Sequence, residues 1–204
     1  MAGFSRRQFI AASGAMAASI PAAAIAPPPS TSARALPSDS LMGRARAAME
    51  RHRDAIVHRD VIGIADFSEH SREPRFSIVD LESGRAQRLL VAHGRGSDPA
   101  HSGWVQHFSN VPGSNATSSG AYLTRQAYSG SHGPSRRLAG LDSENSNAEA
   151  RAIVIHSAWY ANPDVIREQG KLGRSEGCFT FSQADIALVL DRLGPGRLIY
   201  ADKV

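Results

Sequence analysis

The sequence predicts a mainly β domain, built as a compact sandwich or a curled mixed sheet with a few peripheral helices. Its 204 residues include 18 glycines and 11 prolines, a composition that favours strands and turns over a helical bundle. Apolar residues make up 42% of the chain, which is enough for a packed core. Several short runs rich in β-formers are separated by turn residues, as in a sheet of short strands.

Residues 1–26 are expected to be an export signal rather than part of the fold. The pair Arg6-Arg7 stands two residues before Phe9, and an apolar, alanine-rich run follows. This pattern is typical of a twin-arginine signal, which delivers a protein to the periplasm. A permanent membrane anchor is disfavoured because the run is short and is interrupted by a glycine and a proline. We therefore expect no stable membrane span after cleavage.

A flexible linker is predicted over residues 27–37, where prolines and serines accumulate. The domain itself is predicted over residues 38–204, with its core at about 60–202. Its first element is a helix over 40–58, because apolar residues recur there at helical spacing between charged ones. Three polar residues ahead of the apolar stripe offer N-caps: Ser38, Asp39 and Ser40.

Strands are predicted next, in a region dominated by β-branched residues. A short apolar strand covers 60–67, and two β-rich runs, 76–81 and 86–92, form a hairpin around the turn at Gly84. Residues 93–119 are rich in Gly, Ser, Asn, His and Pro and are predicted to form a long loop. A loop of this length in a compact domain is usually functional.

The C-terminal half continues with strands and one helix. Strands are predicted at 122–124 and 136–141, and the strongest β pattern, 152–156, places His156 at a strand end. A capping box at residues 182–185 predicts a helix over 183–193, ended by a glycine, and a last strand follows at 196–201.

The charge balance argues against a nucleic-acid partner. The chain has 23 basic and 19 acidic residues, and the predicted signal holds two arginines and no acid, so the remainder is 21 against 19. There is no run of Lys and Arg that would form a basic stripe along a phosphate backbone. A mild basic excess suits a protein that faces anionic envelope polymers.

Cys178 is the only cysteine in the chain, so an internal disulfide is excluded. It ends the turn Ser175-Glu176-Gly177-Cys178, and His156 stands 22 positions upstream. Attack on an acyl group requires a thiolate, which a nearby imidazole forms by taking the proton. Gly177 would let the backbone approach a substrate carbonyl and aim N–H groups at the developing oxyanion. The alternative is that Cys178 is a small buried apolar residue.

These segments resemble the catalytic region of the L,D-transpeptidases, the YkuD-type cysteine enzymes of bacterial cell-wall synthesis. The resemblance rests on 154–158, on Gly173 to Cys178 with its Ser-x-Gly-Cys motif, and on the hairpin and strand at 80–94. It spans about residues 60–202. The branch with the Ser-x-Gly-Cys motif consists of murein L,D-transpeptidases, and membership would imply their β-rich fold, with no metal or organic cofactor.

The resemblance implies a role for each matching position. Cys178 corresponds to the nucleophile that accepts an acyl group from a peptidoglycan stem peptide. His156 corresponds to the general base, and Ser157 would orient the imidazole through its backbone carbonyl. Ser175, Gly177 and the N–H of Cys178 would shape the turn and the oxyanion hole. Four further residues are candidates for substrate contacts: Arg174, Glu176, His132 and Tyr122.

The sequence also departs from the family at two positions near the cysteine. Glu176 stands where many members have histidine, and Thr180 stands where many have arginine or asparagine. The segment between His156 and Ser175 is long enough for a lid helix over the acceptor side. These departures concern substrate preference more than the identity of the nucleophile.

The remaining polar residues have open interpretations. His132 and His93 would either line the cleft or serve as hydrogen-bonded loop residues. No His, Asp or Glu spacing resembles a zinc motif, and the glycines at 94 and 96 lack the Lys-Ser/Thr of a phosphate-binding loop. Trp159 and Tyr160 would belong either to the core or to a rim that stacks on sugars.

The resemblance implies an acyl transfer through a thioester. Cys178 would attack the amide next to the diamino acid of a tetrapeptide stem, and a side-chain amine of a second stem would resolve the acyl-enzyme as a 3-3 crosslink. Two alternatives remain. Water replaces the amine in a peptidoglycan carboxypeptidase or amidase on the same fold, and an inactive member would only bind the cell wall.

Overall fold

The computed structural model describes residues 37–204. The predicted signal, and all of the predicted linker except Pro37, lie outside the described residues. Over residues 37–204, no helix combines the length and the apolar character needed to cross a membrane.

Eight strands and three α-helices form the described part of the chain. In chain order they are α1 (Asp39–Arg51), β1 (Val61–Asp66), β2 (Phe76–Asp80), β3 (Ala86–Leu89), β4 (Gly120–Gly130), β5 (Gly133–Gly140), β6 (Val154–Ser157), α2 (Pro163–Gln169), β7 (Phe179–Phe181), α3 (Ile186–Arg192) and β8 (Leu198–Asp202).

All eight strands belong to one mixed sheet in the order β3-β2-β1-β8-β4-β5-β6-β7. The pairs β1–β8 and β6–β7 are parallel and the other pairs are antiparallel. The chain after β3 forms backbone bridges to the opposite edge, from Ala92 to Thr180 and from Gly94 to Ser175. The sheet therefore curls until its two edges meet, and of the two predicted architectures it is the curled mixed sheet.

The sheet buries apolar side chains on both faces. One face packs against α1, where Leu41 and Met49 meet Ile62, Ile64 and other strand residues. The opposite face forms the larger core, which is built around aromatic rings and the apolar side of α3. Because both of its faces are covered, every residue of β1 is buried.

Two helices are shorter than predicted, for local reasons. Helix α1 begins after Ser38, whose Oγ accepts the Leu41 N–H at 3.3 Å, and ends at Arg51. The next residue, His52, caps it by donating its N–H to the Ala48 carbonyl at 3.0 Å, and its ring bonds to Asp142 at 2.7 Å. Helix α3 begins at Ile186 because Ser182 and Asp185 close a separate turn ahead of it, with the Asp185 N–H donating to Ser182 Oγ at 3.1 Å.

Strand β4 is much longer than predicted, and β5 begins three residues earlier than predicted. They pair from Tyr122 to Gly130 on one strand and from Gly133 to Gly140 on the other, and so extend as a hairpin past the rest of the sheet. The outer half of β4 is mostly exposed and polar, so it lacks the apolar alternation that marks a strand in sequence. The extension matters because the hairpin tip carries His132 to the site described below.

Candidate active site

The turn that ends at Cys178 is held closed by the side chain of Ser175. The buried Ser175 hydroxyl donates to the Cys178 carbonyl at 2.8 Å and accepts the Gly177 N–H at 3.2 Å. Cys178 stands one residue before β7, so the strand fixes one side of the turn. These two hydrogen bonds are the contacts through which Ser175 would shape the turn, as the sequence predicts.

Glycine is required at position 177 because of both its conformation and its surroundings. Its φ is +117°, a region that L-residues rarely adopt. A Cβ atom there would lie 2.7 Å from Ile153 Cδ1 and 2.8 Å from the Ala116 carbonyl oxygen. Gly94 packs against the same backbone, since a Cβ on it would lie 2.8 Å from Gly177 Cα. The turn therefore lies backbone to backbone on the segment after β3.

That segment anchors the turn through main-chain hydrogen bonds. The Ser175 N–H donates to the His93 carbonyl at 2.9 Å, and the Arg95 N–H donates to the Ser175 carbonyl at 2.7 Å. The position of the cysteine turn thus depends on how firmly residues 93–95 are held.

A buried polar network holds His93 from behind. The guanidinium of Arg75 donates to His93 Nδ1 at 2.6 Å and to the Val91 carbonyl at 3.1 and 3.2 Å. Since Nδ1 accepts, the ring proton is on Nε2, which faces Asp98 at 3.4 Å. Burial lowers the pKa of Arg75 to about 9. Burial, reinforced by the Arg75 charge, lowers the pKa of His93 to about 3, so this ring stays neutral.

His156 is oriented by a hydrogen bond at each ring nitrogen. Its Nδ1 lies 3.0 Å from the Ser157 carbonyl oxygen, and its Nε2 lies 3.0 Å from Thr180 Oγ1. A carbonyl only accepts, so Nδ1 carries the proton of the neutral ring and Nε2 has the free lone pair. The ring of His132 stacks on His156 with centroids 4.3 Å apart. Burial lowers the pKa of His156, and the proximity of His132 lowers it further, against the opposing effect of the Ser157 carbonyl.

The thiol of Cys178 is partly buried and points to a backbone carbonyl. Its Sγ lies 3.7 Å from the Ala152 oxygen. Burial raises the pKa of the thiol and the carboxylate of Glu176 adds to this, while the backbone at Val154 and the charge of Arg151 oppose it. With the pKa of the thiol raised and that of the imidazole lowered, the resting site holds both groups in their neutral forms.

The thiol and the imidazole line the same open cavity, of about 510 Å³. A second cavity of about 260 Å³ lies beside it. The two share three lining residues: Arg95, Tyr160 and Arg174. A cysteine with a histidine in one accessible cleft is able to perform nucleophilic acyl transfer.

Three of the four residues predicted to contact substrate lie at these cavities. Arg174 lines both cavities and donates to the Asp98 and Pro99 carbonyls. Glu176 is exposed and pairs with Arg95 at 2.8 Å. His132 is brought in by the β4–β5 hairpin, which resolves the open interpretation of this residue in favour of the cleft.

Tyr122 does not reach the cleft, which corrects the prediction of a substrate contact. Its ring is fully buried against Phe179, with centroids 5.2 Å apart, and its hydroxyl donates to the Ser118 carbonyl at 2.8 Å. The residue faces the core because β4 directs alternate side chains to opposite faces of the sheet. His93 is likewise buried and acts as a hydrogen-bonded support instead of lining the cleft.

Sequence reasoning overlooked several residues of the site. Arg151 lines the larger cavity and ties the long loop down, donating to the Ser109 carbonyl at 2.8 Å and to Ser118 Oγ at 2.7 Å. Its place directly before the strongest β pattern, 152–156, is the sequence feature from which Arg151 could have been identified. Thr180 was noted only as a departure from the family pattern, yet it bonds to the imidazole.

The segment between His156 and Ser175 contains the helix that the sequence predicts there, α2, which helps to line the smaller cavity through Val165 and Gln169. Trp159 is 66% exposed and belongs to the rim of that cavity, whereas Tyr160 lines the cavity and also packs against the small buried cluster of Ala92, Ala161 and Leu172. Within residues 37–204, no group of three or more His, Cys, Asp or Glu side chains is arranged to hold a metal ion.

A family model described as the L,D-transpeptidase catalytic domain matches residues 35–201. No curated protein matches the chain in sequence. Among solved structures, an L,D-transpeptidase from Mycobacterium smegmatis is similar at 15% identity, covering 70% of this chain and 58% of that one, with a TM-score of 0.43. L,D-transpeptidase 3 from Mycobacterium tuberculosis, in complex with a faropenem-derived adduct, is similar at 16% identity, covering 70% and 60%, with a TM-score of 0.45. The chain thus spans less than two thirds of either protein.

Proposed function

The chain belongs to the family of L,D-transpeptidase catalytic domains, and from this premise we propose that it is a murein L,D-transpeptidase that works through Cys178. The observation that supports the proposal best is the shared cavity of Cys178 and His156, in which Ser157 orients the imidazole at 3.0 Å. The donor would be a tetrapeptide stem of peptidoglycan, and the product a 3-3 crosslink.

The first half-reaction forms a thioester. His156 takes the thiol proton, and Cys178 Sγ attacks the carbonyl carbon of the diamino acid in the donor stem. The Gly177 N–H is already donated to Ser175 Oγ, so we assign the oxyanion to the N–H of the nucleophile itself, Cys178. The C–N bond to the terminal D-residue then breaks, and His156 returns its proton to the departing amine.

The second half-reaction resolves the thioester with an amine. The side-chain amine of a second stem attacks the acyl carbon, gives its proton to His156, and the C–S bond breaks to restore the thiol. The smaller cavity supports this reading, because it adjoins the larger one and shares Arg95, Tyr160 and Arg174 with it. Two guanidinium groups between the cavities suit stem peptides, which carry carboxylates.

Hydrolysis of the same thioester is the second candidate, because the cleft is open to water. It would make the protein an L,D-carboxypeptidase or amidase on the same fold. An inactive cell-wall binding module is less well supported, since both the thiol and the imidazole are present and share the cavity.

The proposal includes the location and the organisation of the chain. Residues 1–26 would act as a twin-arginine signal, 27–37 as a linker and 38–204 as the catalytic domain in the periplasm. Fusing residues 1–37 to a folded reporter tests this, with Arg6→Lys/Arg7→Lys as the matched control. We expect the reporter to reach the periplasm with the native arginine pair and to fail to do so in the double lysine variant. Retention of the reporter in the cytoplasm with the native pair would refute the signal assignment.

The decisive experiment incubates the protein with tetrapeptide-stem muropeptides and follows both protein mass and products. A Cys178-dependent acyl adduct together with crosslinked dimers is the expected result, and Cys178→Ala should abolish both. An adduct that yields only tripeptide would identify the hydrolase. A folded protein with neither adduct nor product would refute both enzymes.

A further inference from the structure

The hydroxyl groups of Thr180 and Tyr160 form a chain of hydrogen bonds that begins at Nε2 of His156, called the hydroxyl line below. Strands β6 and β7 pair in parallel with His156 opposite Thr180, which places Thr180 Oγ1 3.0 Å from Nε2. The hydroxyl of Tyr160 lies 3.4 Å from the same Oγ1 atom and is oriented as its donor. Thr180 is fully buried, whereas Tyr160 also borders both cavities.

Tyr160 is held in this position by the start of the cysteine motif. The Gly173 N–H donates to the Tyr160 carbonyl at 2.8 Å. A Cβ atom on Gly173 would lie 2.5 Å from Tyr160 Cβ, so a glycine is needed for the tyrosine to sit against this segment. The hydroxyl line therefore has a defined place in the fold and is not a chance contact of a mobile side chain.

The hydrogen bonds of this line run in one direction. The Ser157 carbonyl takes the Nδ1 proton, so Nε2 is left to accept from the Thr180 hydroxyl. The oxygen of Thr180 in turn accepts from Tyr160. The only basic nitrogen of the neutral ring is thus the one that contacts Thr180.

We propose that Thr180, supported by Tyr160, is a positioning residue that makes Nε2 the basic atom of His156 and stabilises the ring once it is protonated. The inference rests on the proposed roles of Cys178 and His156. The Thr180 hydrogen first turns to the Tyr160 oxygen and the Tyr160 hydrogen turns to water in the cleft, which frees the Nε2 lone pair. The S–H bond then breaks, an N–H bond forms at Nε2, and this N–H donates to Thr180 Oγ1.

The hydroxyl suits both protonation states because it is able to donate or accept. It donates to the neutral ring and accepts from the imidazolium, and the second bond is the stronger because one partner is charged. Burial disfavours the imidazolium, so this bond offsets part of that cost. The ionisable groups around the ring are His132, stacked on it from the β4–β5 hairpin, Tyr160, which follows β6 and bonds to Thr180, and Cys178, which lines the same cavity ahead of β7.

The test is a pH titration of ¹⁵N-histidine-labelled protein by NMR, with His132→Gln used to assign the stacked pair. We expect neutral His156 to be protonated at Nδ1. Thr180→Val should lower the pKa of His156 further, and Thr180→Ser, which keeps the hydroxyl, should restore it. Tyr160→Phe should lower it by less, and Tyr128→Phe, a tyrosine of the same cavity, should leave it unchanged.

Alkylation of Cys178 by iodoacetamide at pH 7 gives a second readout that requires no peptidoglycan substrate. Thr180→Val should slow it roughly tenfold, the effect expected from one lost charge-assisted hydrogen bond. A wild-type ring protonated at Nε2, or a Thr180→Val ring that titrates as in the wild type, overturns the inference. If Thr180→Val does not fold, an unshifted Tyr160→Phe variant overturns the part assigned to Tyr160, and the wild-type tautomer still tests Thr180.

The two proposals fail separately. The tautomer and its titration are measured on the free protein, so they hold or fail whatever the muropeptide assay returns. If the ring is protonated at Nδ1 and its pKa shifts in Thr180→Val, but no acyl adduct forms, the role of the hydroxyl line is supported and the transpeptidase proposal is refuted. A Cys178-dependent adduct, combined with a ring protonated at Nε2 or one that titrates unchanged in Thr180→Val, would support the transpeptidase and refute the role of Thr180.

Discussion

Substitution of Gly177 by alanine tests the account of the cysteine turn most directly. The new side chain would require a φ of +117° and would bring Cβ to 2.7 Å from Ile153 Cδ1 and 2.8 Å from the Ala116 carbonyl oxygen. Ile153 can shift its terminal methyl group, whereas the carbonyl belongs to a loop that Arg151 fixes. Both strain and overpacking are therefore expected.

The magnitude follows from these two contributions. Holding a non-glycine residue in a disfavoured backbone region costs about 1–3 kcal/mol, and overpacking a rigid site costs about 1–3 kcal/mol more. We expect Gly177→Ala to lower the free energy of unfolding by about 2–6 kcal/mol, a large part of the stability of a typical domain. If the turn shifts to relieve the clash, the misplaced thiol should reduce the rate of acyl-enzyme formation by about 100-fold.

The assay is urea unfolding monitored by tryptophan fluorescence, with Gly84→Ala as the matched control. Gly84 also has a positive φ, of +70°, but a Cβ atom there would meet nothing within 4 Å. The control thus measures the backbone cost of the milder left-handed region alone, and the difference between the variants measures the clash together with the additional strain at +117°. A Gly177→Ala protein as stable as Gly84→Ala, with an unchanged rate of acyl-enzyme formation, would refute the reasoning.

Three further predictions concern the thiol and the buried network. Iodoacetamide alkylation of Cys178 should rise with pH through a midpoint above that of a free cysteine, because the thiolate appears only as the pH passes the raised pKa of the thiol. Glu176→Gln should move this midpoint down and speed alkylation at pH 8 about two- to threefold, a small effect because the carboxylate is exposed. Arg75→Leu should lower the free energy of unfolding in urea by about 3–5 kcal/mol, since it leaves His93 Nδ1 without its buried donor.

Each of these predictions has a contrary outcome. An alkylation midpoint below that of free cysteine would mean that the resting site already holds a thiolate. A Glu176→Gln protein that reacts more slowly would show that the carboxylate assists the thiol. An Arg75→Leu protein within about 1 kcal/mol of wild type would show that the cavity around the guanidinium repacks.

The sequence predicts the fold class and most strands because the core imposes its pattern on them. Residues 152–156 are the strongest β pattern, and they overlap β6 (Val154–Ser157), whose first three residues are buried. The outer half of β4 lies beyond the core, so the alternation that would reveal it is missing. Tyr122 illustrates a related limit: alternation shows that a residue faces one side of the sheet, but it does not show which side borders the cleft.

The candidate site likewise contains a part that the sequence predicts and a part that it does not. The Cys178 turn and the Ser157 carbonyl are local in sequence, so their geometry is predictable from a short motif. The support behind them depends on side-chain contacts made in the folded chain: the β2–β3 hairpin sets Arg75 beside His93, and the loop after β3 brings Asp98 back to the same ring. No spacing rule connects such residues, and each of them alone reads as an ordinary loop or strand residue.

The closure of the sheet has a consequence for how the cysteine acquires its environment. The seam consists of residues 92–95 against 175–180, and it joins segments from the two ends of the strand order. A chain in which every strand has formed but the hydrogen bonds of this seam have not still contains the thiol. It lacks the contacts of the 93–95 backbone that position the cysteine turn. In such a molecule Cys178 reacts as an unstructured cysteine would. Pulsed thiol labelling during refolding therefore reports when this seam forms relative to the strands, through the single cysteine of the chain.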